Sequence, residues 1–247
     1  MTAPRNLPQK IEDRLIVALD VPSIREAREL AARLDGVAGF LKLGLWLLFA
    51  EGFDGLLAEL LRQGKKIFLD AKMFDIGETV KEGVRRAAER GVSFLTVHGD
   101  GEIMKRACEG RADSGLKIFA ITVLTSLGEE GLEDLGSQAS VAELVRRRAR
   151  LAALCGCDGI IAAPRDNPDE LRRLAGSPQL LVATPGVRPA GTRSDDHKRA
   201  ATPAEAIAAG ADYLIVGRPI IRSADPAQAA ARIIEEMRRA AEGNAPQ

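Results

Sequence analysis

The chain has 247 residues, 35 Lys and Arg against 35 Asp and Glu, and 46 % hydrophobic residues, so it is long and apolar enough to bury a core without disulfide or metal staples. Zero net charge and only 4 % aromatics argue against nucleic acid as a partner. The most apolar run, residues 45–50, falls far short of the ~20 residues that span a bilayer, and the polar stretch before Leu15 does not read as a secretory signal.

Short apolar runs alternate with amphipathic stretches along the chain. A strand is expected at 15–19, then a helix with the stripe Ile24, Ala27, Leu30, Ala31 and Leu34, opened by Ser23 with Glu26 three residues on. A strand at 40–43 precedes a helix carrying Phe53, Leu56, Leu57, Leu60 and Leu61 that stops at Gly64. Strands follow at 67–70 and 93–97, with Gly91 closing the helix between them, and at 117–123. Ser140 and Glu143 open a helix ending at Gly156, before a strand at 159–162. Asn167-Pro168 starts the next helix, ahead of a strand at 180–183. Thr202 and Glu205 open one that stops at Gly210, before the last strand at 213–216. Asp225-Pro226 starts the final helix, with Ala230, Ile233, Ile234 and Met237 on its buried face.

Eight strand–helix units in about 230 residues predict an α/β fold, a single (β/α)8 TIM barrel over 1–247 with loose ends at about 1–13 and 242–247. An open doubly wound sheet is the alternative. It calls for a Gly-rich first turn, where this chain has Asp20-Val21-Pro22-Ser23.

In such a barrel, function sits at the C-terminal ends of the strands. Asp20, Lys42, His98 and Thr125-Ser126 fall there, as does Asp70-Ala71-Lys72-Met73-Phe74-Asp75. Asp70 and Lys72 are two apart, so on a regular strand both point to one face. Carboxylates favour the charged form of a neighbouring ammonium, which makes Lys72 an electrostatic stabiliser and proton donor rather than a Schiff-base lysine. An exposed salt bridge at a strand end is the plainer reading. Asp20 and Lys42 extend the cluster. Carboxylates suit Mg²⁺, but two ammonium groups compete with a cation, so no metal is expected.

Gly217-Arg218 after the last strand reads as a phosphate site, or else as a turn that simply needs glycine. The loop from Thr184 to Ala200 carries Gly186, Arg188, Gly191, Arg193 and His197, and its length suits a lid or binding loop as well as a surface excursion. His98 reads as a hydrogen-bonded strand-end residue more than a catalyst, and Arg146-Arg147-Arg148 with Arg150 as a solvated helix face. Cys108, Cys155 and Cys157 have neither zinc nor CxxC spacing. Cys155-x-Cys157 reads as packing, and the odd number of cysteines fits a reduced, cytoplasmic protein.

Taken in order, Leu15-Ile16-Val17-Ala18-Leu19-Asp20-Val21-Pro22, Lys42-Leu43-Gly44, the D-x-K-x-x-D of Asp70, Lys72 and Asp75, and Thr122-Val123-Leu124-Thr125-Ser126 resemble the bacterial orotidine 5′-phosphate decarboxylases. The segments 184–191 and 213–220 continue the likeness. The resemblance implies cofactor-free loss of carbon dioxide from orotidine 5′-phosphate to give UMP in pyrimidine synthesis. Lys72 would protonate C6. Asp70 would sit beside the substrate carboxylate, and Asp20 and Lys42 would hold the ribose. Thr125 and Ser126 would face the pyrimidine, Arg188, Gly217 and Arg218 would grip the phosphate, and His197 would contact the phosphate or the base. Asp75, Ile76 and Thr79 would reach across a homodimer interface into the partner's site. Two positions depart from the family pattern: His197 stands where glutamine is usual, and Gly77-Glu78 where Pro or Asp, then Asn, is common. A Mg²⁺-dependent sugar-phosphate decarboxylase or synthase of the same barrel group is the alternative function.

Overall fold

Eight parallel strands close into a barrel in chain order, with the last pairing back to the first through Leu15–Leu214. The computed structural model describes residues 5, 7–189 and 201–243. The strands are β1 (Leu15–Ala18), β2 (Phe40–Gly44), β3 (Lys66–Met73), β4 (Phe94–His98), β5 (Lys117–Ile121), β6 (Gly159–Ile161), β7 (Leu181–Pro185) and β8 (Tyr213–Val216). The helices that return between them are α1 (Ile24–Arg33), α2 (Leu45–Leu48), α3 (Phe53–Arg62), α4 (Gly77–Glu89), α5 (Gly101–Arg111), α6 (Glu129–Asp134), α7 (Val141–Leu154), α8 (Pro168–Ala175) and α9 (Pro203–Ala208). After β8 come the single turn α10 (Arg218–Ile221) and the long α11 (Pro226–Gly243). All eight expected strands form, and closure rules out the open sheet.

Local chemistry sets the helix ends. Ser23, Asn167 and Asp225 each accept a backbone N–H of the following turn, and the Ser140–Glu143 and Thr202–Glu205 capping boxes close in both directions. The stops Gly64, Gly91, Gly156 and Gly210 take φ of 74°, 80°, 80° and 95°, where a side chain would be strained.

The apolar residues divide into two shells. Alternate strand residues such as Val17, Leu41, Leu69 and Leu95 face outward against the helices. The others fill the barrel, where four of the seven Phe and the one Tyr make an aromatic floor. Phe94 is central to it, with ring centroids 4.8 Å from Phe40, 4.6 Å from Phe119 and 5.1 Å from Tyr213. Period-two alternation then carries polar groups to the top: Phe40 leads to Lys42, Phe68 to Asp70 and Phe94 to Thr96. At the opposite end Arg172 pairs with fully buried Asp212, whose Oδ2 also accepts the Val182 N–H at 2.8 Å. This ties α8, β7 and β8 together and serves the fold.

The arginine run on α7 departs from its reading in one position. Arg146, Arg147 and Arg150 are exposed, but Arg148 is half-buried and donates to the Thr122 carbonyl at 2.5 Å. Cys157 is buried with its Sγ 3.8 Å from that of Cys108, as packing predicts.

Candidate active site

The first four strands bring five polar residues to a shared point: Asp20 just past β1, Lys42 on β2, Asp70 and Lys72 on β3, and Thr96 on β4. The Lys42 Nζ lies 2.9 Å from Asp20 Oδ1 and 3.2 Å from Asp70 Oδ2, and the Lys72 Nζ lies 2.8 Å from the same Asp70 oxygen. Asp70 Oδ2 therefore sits between two ammonium groups. Its other oxygen, Oδ1, accepts a hydrogen bond from the Thr96 hydroxyl at 2.9 Å. Gly44 keeps this arrangement open. A Cβ there would stand 3.0 Å from Asp20 Oδ1 and 3.3 Å from Lys42 Nζ.

Burial and charge oppose each other in this cluster. Burial works against the Lys42 ammonium, but Asp70 and Asp20 outweigh it and hold its pKa above the ordinary lysine value. Burial likewise opposes ionised Asp70, yet Lys42, Lys72 and the Thr96 hydroxyl keep its pKa below the usual carboxylate value. Both oxygens of Asp70 are engaged by these donors, so the donor set suits an anion-stabilising ammonium pair better than a divalent cation.

The route by which Lys72 reaches the site differs from the expectation of a regular strand. The β3–β4 register runs Phe68–Phe94 and Leu69–Leu95, then resumes only at Met73–Val97. Lys72 lies in the resulting bulge with φ 47°, left-handed for a non-glycine residue. The two-residue spacing thus brings the side chains together, but through a bulge rather than through the pleat. Thr96 was not singled out by sequence reasoning. Its signal was a lone hydroxyl in an apolar strand, at the same inward position as Lys42 and Asp70.

These residues lie in a cavity of about 660 Å³, in the range that takes a nucleotide-sized ligand. Asp20, Lys42, Asp70, Lys72, Thr125, Arg188, Gly217 and Arg218 all line it. The cluster occupies the β1–β3 side, and the Gly186, Arg188, Gly217 and Arg218 edge comes from the loops after β7 and β8. Arg188 is fixed by its backbone N–H to the Ala201 carbonyl at 2.9 Å. Arg222, one helical turn past Arg218, and Glu26 also line the cavity and were missed. Nothing in their sequence context separated them from surface charges.

Other expected site residues stand apart. Asp75, Ile76, Thr79 and Ser126 are exposed and do not line the cavity; Ile76 is 73 % exposed, and Asp75 Oδ1 accepts the Ile76 N–H at 2.6 Å. His197, with Gly191 and Arg193, lies outside the described residues. His98 is not the hydrogen-bonded residue expected. Its ring packs 4.4 Å from Phe74, and its buried Nδ1 makes no hydrogen bond among the described residues. Burial first, and Arg148 second, push its pKa below the ordinary histidine value. No described helix is long and apolar enough to cross a membrane.

Comparison with known proteins agrees with this geometry. Residues 13–233 match the model of the orotidine 5′-phosphate decarboxylase / HUMPS family. An orotidine 5′-phosphate decarboxylase of Rhodopseudomonas palustris is 48 % identical over 92 % of this chain and 96 % of its own length. One of Bradyrhizobium diazoefficiens is 49 % identical over 87 % of this chain and 90 % of its own length. Among solved structures, an orotidine 5′-phosphate decarboxylase from Lactobacillus acidophilus superposes with a TM-score of 0.80 at 32 % identity, covering 91 % of this chain and 99 % of that one.

Proposed function

The chain belongs to the orotidine 5′-phosphate decarboxylase / HUMPS family and converts orotidine 5′-phosphate to UMP, and from that premise we propose how its residues do so. The observation that carries the mechanism is the pair of ammonium groups on one buried carboxylate oxygen, at the wall of a nucleotide-sized cavity. The substrate carboxylate on C6 lies beside Asp70. The bond from C6 to the carboxylate carbon breaks, carbon dioxide leaves, and the electron pair stays on C6. The Lys72 ammonium donates its proton to that carbon, and solvent later reprotonates the amine. An ammonium already aimed at C6 stabilises the charge as it develops and costs no reorganisation at that moment.

Remote groups supply the binding. Asp20 and Lys42 hold the ribose hydroxyls, and Thr125, which lines the cavity, faces the pyrimidine. Arg188, Gly217, Arg218 and His197 take the phosphate, and the binding energy of this remote group helps exclude water from the reacting carbon. No cofactor enters the chemistry.

The protein works as a homodimer in which Asp75, Ile76 and Thr79 of one copy complete the site of the other. Trp46, Phe49, Phe74 and Ile76 support this. They are large apolar residues at the ends of adjacent strands β2 and β3, each more than half exposed in the single chain. Location in the cytoplasm belongs to the same proposal and is supported by three free cysteines.

The test is purified protein with orotidine 5′-phosphate and EDTA, followed by the loss of pyrimidine absorbance. Substrate converted to UMP at the rate seen without chelator supports the mechanism. Conversion that stops with EDTA and returns with Mg²⁺ would move the chain to a metal-dependent mechanism.

A further inference from the structure

We propose that Thr96 is a positioning residue for the decarboxylation, holding both the backbone of Lys72 and the carboxylate of Asp70 in their working geometry. The inference rests on the roles given above to those two residues.

Between the paired positions Leu69–Leu95 and Met73–Val97, three residues of β3 stand opposite one residue of β4, and that residue is Thr96. A bulge leaves ladder groups without partners. Here the Lys72 N–H donates to the Thr96 Oγ1 at 2.9 Å in place of a main-chain carbonyl. The same hydroxyl donates its own proton to Asp70 Oδ1 at 2.9 Å. One side chain thus closes the gap in the ladder and fixes the rotation of the carboxylate. With Oδ1 committed to Thr96, Oδ2 is the oxygen offered to Lys42 and Lys72.

Thr96 has no exposed surface, so water does not reach the gap it fills. Lys72 holds a left-handed backbone, a conformation that persists only when its surroundings impose it. The Thr96 hydrogen bond is the contact that the structure supplies to the Lys72 N–H for that purpose. Without the hydroxyl, the N–H has no partner, the bulge is free to relax, and Nζ moves with it. A displacement on the order of 1 Å at a reacting group costs roughly a hundredfold in rate.

Thr96→Val keeps the shape and removes the hydroxyl, and Thr96→Ser keeps the hydroxyl and removes a methyl. Steady-state kinetics on orotidine 5′-phosphate are read beside crystal structures of wild type and both variants. For Thr96→Val, kcat falls about tenfold to a hundredfold while KM stays within about threefold, because the phosphate and ribose contacts are untouched. Thr96→Ser recovers kcat to within about threefold of wild type. In the Thr96→Val crystal, Lys72 leaves its left-handed φ or its Nζ leaves hydrogen-bond range of Asp70. Should Thr96→Val not fold, Thr96→Ala removes the same hydroxyl and carries the same expectation.

Three results overturn the assignment: an unchanged kcat in Thr96→Val, an equal loss in Thr96→Ser, or a Lys72 geometry unmoved in the Thr96→Val crystal. A wild-type protein inert on orotidine 5′-phosphate would instead sink the proposed function. The crystal comparison would still decide whether Thr96 positions Lys72.

Discussion

Gly44→Ala tests whether the Asp20–Lys42 arm of the cluster holds the substrate. Gly44 has φ −97° and ψ −172°, extended backbone that alanine adopts freely, so the substitution acts only through the space its methyl takes. That methyl would sit 3.0 Å from Asp20 Oδ1 and 3.3 Å from Lys42 Nζ. Lys42 is buried and anchored to Asp70, whereas the Asp20 side chain is about half exposed and free to swing into water. Asp20 is therefore the group that moves. The lost ion pair is discounted for that exposure to about 1 kcal/mol. Crowding adds about 1 kcal/mol more, and the stiffer unfolded chain returns about 0.5–1 kcal/mol. The net is about 1 kcal/mol, a fall in Tm of about 2–4 °C. An Asp20 turned away from the ribose costs substrate binding about 1.4 kcal/mol, a tenfold rise in KM, with kcat within about threefold because Lys72 and Asp70 stay in place. Steady-state kinetics and a melting curve measure both. An unchanged KM with a lowered Tm refutes the role of Asp20 in binding; if neither moves, the packing around Gly44 is not as described.

Asp70→Asn leaves two ammonium groups facing a neutral amide, so stability falls by about 3–5 kcal/mol and turnover is lost; denaturant melts and kinetics read both, and a variant as stable as wild type contradicts the cluster. The pH dependence of that stability gap has a definite sign. Asp70 has its pKa held down in the folded state, so its contribution is present above the ordinary carboxylate value of 3.8 and lost as pH falls through the lowered folded value. Lys42 has its pKa held up, so its contribution is complete below the ordinary lysine value of 10.5 and lost as pH rises through the raised folded value. The gap between wild type and Asp70→Asn should therefore stay level from about pH 5 to 9 and narrow in acid and again in strong alkali; a gap that closes between pH 7 and 5 contradicts this. Arg218→Ala should raise KM about thirtyfold to a hundredfold for orotidine 5′-phosphate and leave the slow turnover of the nucleoside orotidine unchanged; equal losses on both would remove Arg218 from the phosphate site. Mixing Lys72→Ala with Asp75→Ala subunits should restore part of the activity that each lacks alone, and verified heterodimers without recovery would show that Asp75 does not act across an interface.

The barrel was legible because its signals are local and repeat. Each strand is a short apolar run, and each helix shows its cap in the adjoining residues, as Ser140 with Glu143 and Thr202 with Glu205 do. The central cluster was legible for the same reason, since Asp20, Lys42, Asp70 and Lys72 are charged residues where apolar strands end. The bulge at Lys72 was not. It is set by the β3–β4 register, which no single segment records, and the sequence gives no left-handed glycine to mark it. Thr96 was hidden by the same gap, because its importance depends on which β3 groups lose their ladder partners. Arg148 looked like one charge in a solvated run, and only the fold brings the Thr122 carbonyl to it.

The central claim is that Lys72 delivers the proton to C6, and the most direct measurement is single-turnover formation of UMP by Lys72→Ala, alongside its affinity for UMP. A positioned proton donor and charge stabiliser is worth on the order of a thousandfold or more. The account predicts a rate lower by at least that factor with UMP still bound. A rate within about tenfold of wild type would contradict it.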